Sequence, residues 1–323
     1  MDDLQVPRSS RITILTLSPQ LSPSPISDPV GVPDAGNLLR PSNGLTVIHD
    51  PPNTVANILV IHGLMGDAYR TFYNAAHKVD WLKDFLMHDI PNVRIMVFGY
   101  DVAVWHPWIQ VSQGRLSGYA ADLLGSLSGC RNDERKRTRP ILFIAHSLGG
   151  LVVQQALTAA RESRADHLHD IETHTIGICF LGTPHRGTNL ATWGERFARM
   201  FNIFKPVNYQ LVSLLEPRSK ALHKMRRSFY NLLEKRKDEG SRIQIVCFYE
   251  TIPMLWSLIV SEDSATIDGE PCFPIFANHA DMAKFGTRQH SGYMSILREL
   301  QRMMSDRSSD HLCPGCRKYW KTV

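Results

Sequence analysis

Short runs of apolar residues, bounded by turn formers and mostly free of polar interruption, constrain the fold of this chain more than any other feature. Leu45 to His49, Ile58 to His62, Val93 to Tyr100, Ile141 to His146, Ile176 to Leu181, Ile243 to Tyr249 and Cys272 to Ala277 read as strands. A strand with one wet face alternates apolar and polar residues, whereas a run that is apolar throughout is covered on both faces. Between the runs the spacing becomes helical, as at Ala120, Leu123, Leu124 and Leu127, and again at Leu151, Val152, Gln155, Ala156 and Ala159. Strand and helix in alternation predict an α/β fold, a mainly parallel sheet flanked by helices.

The 323 residues, 43% hydrophobic and 21% charged, can bury one large core, which excludes full disorder, collagen and coiled coil. Residues 1–43, with Ser22-Pro23-Ser24-Pro25, predict a disordered lead-in; 44–304 hold the domain; 305–323 form a polar tail. Within the domain, 188–240 are too long for a simple crossover and predict a helical insertion or lid. Its Leu211, Leu214, Leu215, Leu222, Met225 and Phe229 are interleaved with Arg218, Lys220, Lys224, Arg226 and Arg227. As a lid it would turn an acyl pocket inward and a basic face, Arg226 and Arg227 included, toward anionic lipid.

A net charge of +5 predicts no nucleic-acid partner. Six cysteines in a chain this long are not a disulfide framework, and Cys179 and Cys247 fall inside strand runs, which suits a reducing, intracellular compartment. The opening run Ile12 to Leu17 is too short for a signal-peptide core, and no run reaches the roughly 18 to 20 apolar residues of a membrane span. No cofactor or metal is expected: His311, Cys313 and Cys316 offer three ligands where a closed zinc site takes four, and read better as an exposed thiol pair.

Chemistry concentrates where Ile141-Leu142-Phe143-Ile144-Ala145-His146-Ser147-Leu148-Gly149-Gly150 runs from strand into helix. Ala145-x-Ser147-x-Gly149 is the nucleophile-elbow pattern with alanine for its first glycine; small residues flank the serine because the turn is sharp. Such a turn lifts the Ser147 hydroxyl above the sheet and sets the Leu148 amide at a helix N-terminus, suited to an oxyanion. The serine needs a base, in the chain order Ser, acid, His. His279, after the last strand run, is the first candidate; His290 is weaker, and His185 comes too early and reads as structural or pocket-lining. For the acid that orients the base, Glu250 ends the preceding strand and is favoured, with Asp263 in the following loop as its rival. The second oxyanion donor is expected from the backbone N–H of Leu64, in His62-Gly63-Leu64 after an earlier central strand.

With these residues in place, the chain resembles the lipase-like serine esterases: serine-active-site-containing proteins, GPI inositol-deacylase relatives, and fungal hydrolase domains found ahead of NACHT-type modules. The resemblance covers about Leu45 to Leu300. It rests on Val60-Ile61-His62-Gly63-Leu64, on Ala145 to Gly150, on Phe180-Leu181-Gly182-Thr183-Pro184-His185-Arg186-Gly187, on Phe248-Tyr249-Glu250-Thr251 and on Ala277-Asn278-His279-Ala280-Asp281-Met282. It implies an α/β-hydrolase fold, a Ser147, Glu250, His279 triad and hydrolysis of an ester or lipid, with peripheral membrane contact at the endoplasmic reticulum or mitochondrion. Two other readings stay open: a non-catalytic signalling or scaffold module on the same fold, and a thioesterase or acyltransferase of a biosynthetic pathway.

Overall fold

The computed structural model describes residues 43–64, 66–100, 113–186, 216–254 and 257–306, all within one unit, Arg40–Val323. The predicted lead-in up to residue 42, residues 188–215 of the predicted insertion and the tail from 307 with Cys313 and Cys316 lie outside the described residues.

Each predicted strand run forms a strand: β1 (Gly44–His49), β2 (Ala56–Ile61), β3 (Val93–Gly99), β4 (Ile141–His146), β5 (Thr175–Leu181), β6 (Gln244–Glu250) and β7 (Cys272–Ile275). They make one sheet in the order β1-β3-β2-β4-β5-β6-β7. β1 runs antiparallel to β3, and every other pair is parallel. A ribbon between Tyr73–Asn74 and Val79–Asp80 stands apart; two residues per strand carry no apolar run, so sequence pattern could not announce it.

β2, β4 and β5 are buried at every residue, and alternation along β2 shows why. Leu59 and Ile61 enter one apolar layer, with Leu123 of α1 (Gln113–Gly129), Val152 of α2 (Leu148–Glu162), Ile171 of α3 (Asp166–Thr173) and Phe229 of α4 (Glu216–Asp238). Ile58 and Val60 enter the other, with Phe72, Trp81, Phe285 and Ile296 of α5 (Ser291–Ser305). Trp81 keeps its indole N–H satisfied on the Ala283 carbonyl, 2.8 Å away. Burying each large apolar side chain contributes about 1.5–3 kcal/mol, so Phe143→Ala, in the middle of β4, would cost about 3–5 kcal/mol.

Of the predicted insertion, α4 is described, and it is docked on the sheet. Met225, Phe229 and Leu232 are buried, with the Phe229 ring edge-on to Phe180 at 6.3 Å. Its C-terminal end is tied by Arg236, whose guanidinium donates to the Glu172 carboxylate at 2.9 Å and carbonyl at 2.6 Å. The expected common basic face of Arg226 and Arg227 is corrected: Arg227 is exposed, but Arg226 is half-buried among Arg186, Tyr230 and His185. The helix turns about 100° per residue, so adjacent residues cannot share one narrow face.

Register carries the fold toward its site. His146 pairs with Leu181, Leu181 with Phe248, and Glu250 with Ile275, so the loops after β4, β5, β6 and β7 leave one edge of the sheet. This mainly parallel sheet with helices on both faces is the α/β-hydrolase arrangement predicted from the sequence. Among the described residues no helix is long and apolar enough to cross a membrane.

Candidate active site

The turn after β4 is tight in the way the motif requires. Ser147 has φ 53° and ψ −121°, a region that glycine favours and that costs another residue about 1–3 kcal/mol. Three bonds hold it there: the Ser147 N–H donates to the Leu181 carbonyl at 2.8 Å, and the Ser147 carbonyl accepts from Gly150 N–H at 3.0 Å and from Thr183 Oγ1 at 3.2 Å. Gly149 is required by the same turn, because a Cβ there would lie 2.5 Å from the His62 carbonyl oxygen at the end of β2.

Two strands over, β6 ends on Glu250, and the loop after β7 brings back His279. Ser147 Oγ donates to His279 Nε2 at 2.9 Å, while His279 Nδ1–H donates to Glu250 Oε2. The other carboxylate oxygen, Oε1, accepts the amides of Ile259 at 2.5 Å and Val260 at 3.1 Å. Serine, histidine and glutamate are 0%, 1% and 0% exposed. Water therefore competes little for these bonds, and the carboxylate is fixed by backbone before it meets the imidazole. Chemically, the run can pass the serine proton to His279 and hold the resulting imidazolium against Glu250.

The rival residues lie elsewhere. Asp263, with its side chain 83% exposed, pairs with Arg186 Nη1 at 3.2 Å instead of with His279. His290 accepts the Gly292 N–H at 3.1 Å and caps α5; burial lowers its pKa. His185 accepts from the Gln154 amide at 2.8 Å in the core, and burial, with Arg226 and Arg186 nearby, pushes its pKa down to about 3.

Of the two expected oxyanion donors, Leu148 directly follows the serine, and Leu64 directly follows a glycine that approaches it. Leu148 opens α2, so its N–H is among the first-turn amides that no helix carbonyl takes. Gly63 touches the elbow: a Cβ on it would lie 2.7 Å from Ser147 Cβ. The Gly63 carbonyl accepts from His62 Nδ1 at 2.9 Å and Gly66 N–H at 3.2 Å. In a trans peptide this turns the Leu64 N–H to the opposite side. His62 is itself held, its Nε2 accepting the Tyr100 N–H at 3.2 Å and its carbonyl the Tyr100 hydroxyl at 2.8 Å.

Sequence reading missed the groups behind the first contacts. The Ile259 and Val260 amides carry no sequence signal, because a backbone N–H belongs to every residue type except proline. Gly182 had one: it has φ 57°, and a Cβ there would lie 3.0 Å from His279 Cε1. His146 also had one, a histidine directly before the serine. Among the described residues no cluster of three or more His, Cys, Asp or Glu could hold a metal.

Residues 56–213 match a family model described as "Putative serine esterase". That is the serine-esterase family the motifs resemble. Protein SERAC1 of Bos taurus is 27% identical over 268 residues, 75% of this chain and 38% of its own length. Protein SERAC1 of Danio rerio is 26% identical over 298 residues, 82% of this chain and 42% of its own. The chain thus spans 38% to 42% of the length of these curated relatives. Among solved structures, a lipase-esterase related protein from Clostridium acetobutylicum aligns over 80% of this chain and 98% of its own, with 10% identity and a TM-score of 0.44. At that level the likeness is one of chain course; sheet order and the turn at Ser147 carry the fold assignment.

Proposed function

We propose that the chain is a serine hydrolase that cleaves a carboxylic ester, of a hydrophobic or lipid-like acid, through an acyl-enzyme. Ser147 Oγ attacks the ester carbon while His279 takes its proton; the oxyanion is met by the Leu64 and Leu148 amides. Collapse expels the alcohol, which receives that proton from His279. Water, deprotonated by His279, then attacks the acyl-serine; collapse breaks the acyl–Oγ bond, the proton returns from His279 to Ser147 Oγ, and the acid is released. Glu250 keeps the imidazole in the tautomer that leaves Nε2 free to accept, and offsets the charge of the imidazolium.

The observation that carries this reading is the run of bonds from Ser147 through His279, 2.9 Å from the serine oxygen, to Glu250. A scaffold protein has no need of three buried polar groups linked in this order next to a strained serine. The hydrophobic acyl group is inferred from the lipase-like family that the motifs resemble.

The test is turnover of p-nitrophenyl esters from acetate to palmitate by wild type and Ser147→Ala. The reading expects hydrolysis by the wild type, fastest at chains longer than acetyl, and none above background from the variant. A folded wild type that cleaves no member of the series, or a variant equal to it, contradicts the proposal. A thioesterase would instead turn over acyl-thioesters far faster than the matching oxygen esters. Lipid-surface contact is tested separately by vesicles containing anionic lipid: α4 exposes Lys224 and Arg227, and their neutralisation should weaken binding without slowing the soluble ester.

A further inference from the structure

His146 ends β4 immediately before Ser147, is 6% exposed, and has no part in the proton path just described. Its Nε2 lies 2.9 Å from the carbonyl oxygen of His279, a residue 133 positions away in sequence. A carbonyl only accepts, so Nε2 carries the hydrogen. Burial, with His279 beside it, pushes the His146 pKa down to about 3, which leaves Nδ1 bare at neutral pH. Nδ1 is buried without a hydrogen-bond partner, and a Cβ on Gly63 would lie 3.1 Å from it. The ring is therefore wedged between the backbone of the base and the loop that carries Leu64. Its plane is tilted 38° from that of His279, with centroids 5.1 Å apart. The titratable groups that face it are His279, His62 and Lys284.

A leucine would fill this volume, but it has no hydrogen to donate to the His279 carbonyl. That much a merely structural histidine explains. The placement does more, because both backbones that His146 touches belong to the reacting apparatus, and an error of about 1 Å there can cost about 100-fold in rate.

We propose that His146 is a positioning residue: its Nε2–H fixes the main chain of His279 and the Nδ1 edge of its ring backs Gly63, so one side chain sets both the reach of the base to Ser147 and the seat of the Leu64 amide. The kinetic consequence rests on the esterase reading above, whereas the geometric one does not.

The test compares His146→Gln with His146→Asn. A glutamine amide nitrogen reaches the place of Nε2; an asparagine amide stops near Nδ1. Two readouts are taken on the full chain: the rate at which a fluorophosphonate labels Ser147, and the far-downfield proton resonance of His279 Nδ1–H on Glu250. With melting temperatures close to wild type, the glutamine variant should label within about threefold of wild type and keep the resonance. The asparagine variant should label about 10- to 100-fold more slowly and lose or broaden it.

A folded asparagine variant with wild-type labelling and resonance overturns the proposal, as does a glutamine variant as impaired as the asparagine one. If the asparagine variant does not fold, nitrogen-15 shifts of His146 in the wild type decide. They must report the Nε2–H tautomer from pH 5 to 8, and an Nδ1–H or doubly protonated ring overturns the proposal. If the wild type takes no label at all, the esterase reading fails, and the His279 resonance alone judges His146.

Discussion

Gly63 stands so close to Ser147 that a Cβ added to it would lie 2.7 Å from the serine Cβ and 3.0 Å from the His146 carbonyl oxygen. Both neighbours are part of a turn held by the sheet, so neither can yield cheaply. Gly63→Ala should therefore displace the His62–Leu64 loop, with a stability loss of about 1–3 kcal/mol by urea unfolding. Labelling of Ser147 should fall more steeply than stability does, because the displaced loop carries the Leu64 amide. Wild-type labelling by this variant would remove Leu64 from the oxyanion assignment.

The positive φ of Ser147 separates two substitutions that a hydroxyl count treats alike. Ser147→Ala and Ser147→Gly both lose the bond to His279 and both should be inert toward esters. Glycine accepts φ 53° where alanine must remain strained, so the glycine variant should be the more stable by about 1 kcal/mol. Thermal or urea unfolding of the pair measures it; equal stabilities would mean that the turn relaxes around alanine.

Glu250 and Asp263 can be compared directly. Glu250→Gln should lower kcat on a soluble ester by about 10⁴, the effect of mis-setting the tautomer of the base. Asp263→Asn should leave kcat near wild type, since that carboxylate contacts Arg186. The reverse order of damage would move the acid to the loop.

Acid should destabilise the fold through buried histidines. His146 and His185 have pKa values pushed from 6.5 down to about 3 by burial, so the unfolded chain binds two protons that the native one refuses. Their contribution is complete above about pH 6.5 and is lost as pH falls toward 3. Within that window the loss is about 1.4 kcal/mol per pH unit for each group. Urea midpoints from pH 7 to pH 5 should fall accordingly, and His185→Gln should flatten the decline; a midpoint independent of pH in this range would contradict it.

Much of the fold was legible because strands covered on both faces are apolar at every position, as Ile58 to Ile61 show. The elbow was legible because its backbone permits few residue types at Ala145 and Gly149. The partition between Glu250 and Asp263 was open in the sequence, since both lie between the serine and the histidine. Sheet register separates them: Glu250 pairs with Ile275, four residues before His279, while Asp263 is the second residue of a short helical turn, Glu262–Ala265, and its side chain faces solvent and Arg186. Arg226 was misplaced because charge alone does not say which side of α4 packs, and a long side chain can bury its stem while lying among other polar groups.

The central claim is that Ser147 is an activated nucleophile, and covalent labelling tests it most directly. The folded chain is treated with a fluorophosphonate and analysed by intact mass and peptide mapping. The account predicts one adduct per chain, on Ser147, abolished in Ser147→Ala and strongly slowed in Glu250→Gln. A folded wild type that takes no adduct, or takes it on another residue, would contradict it.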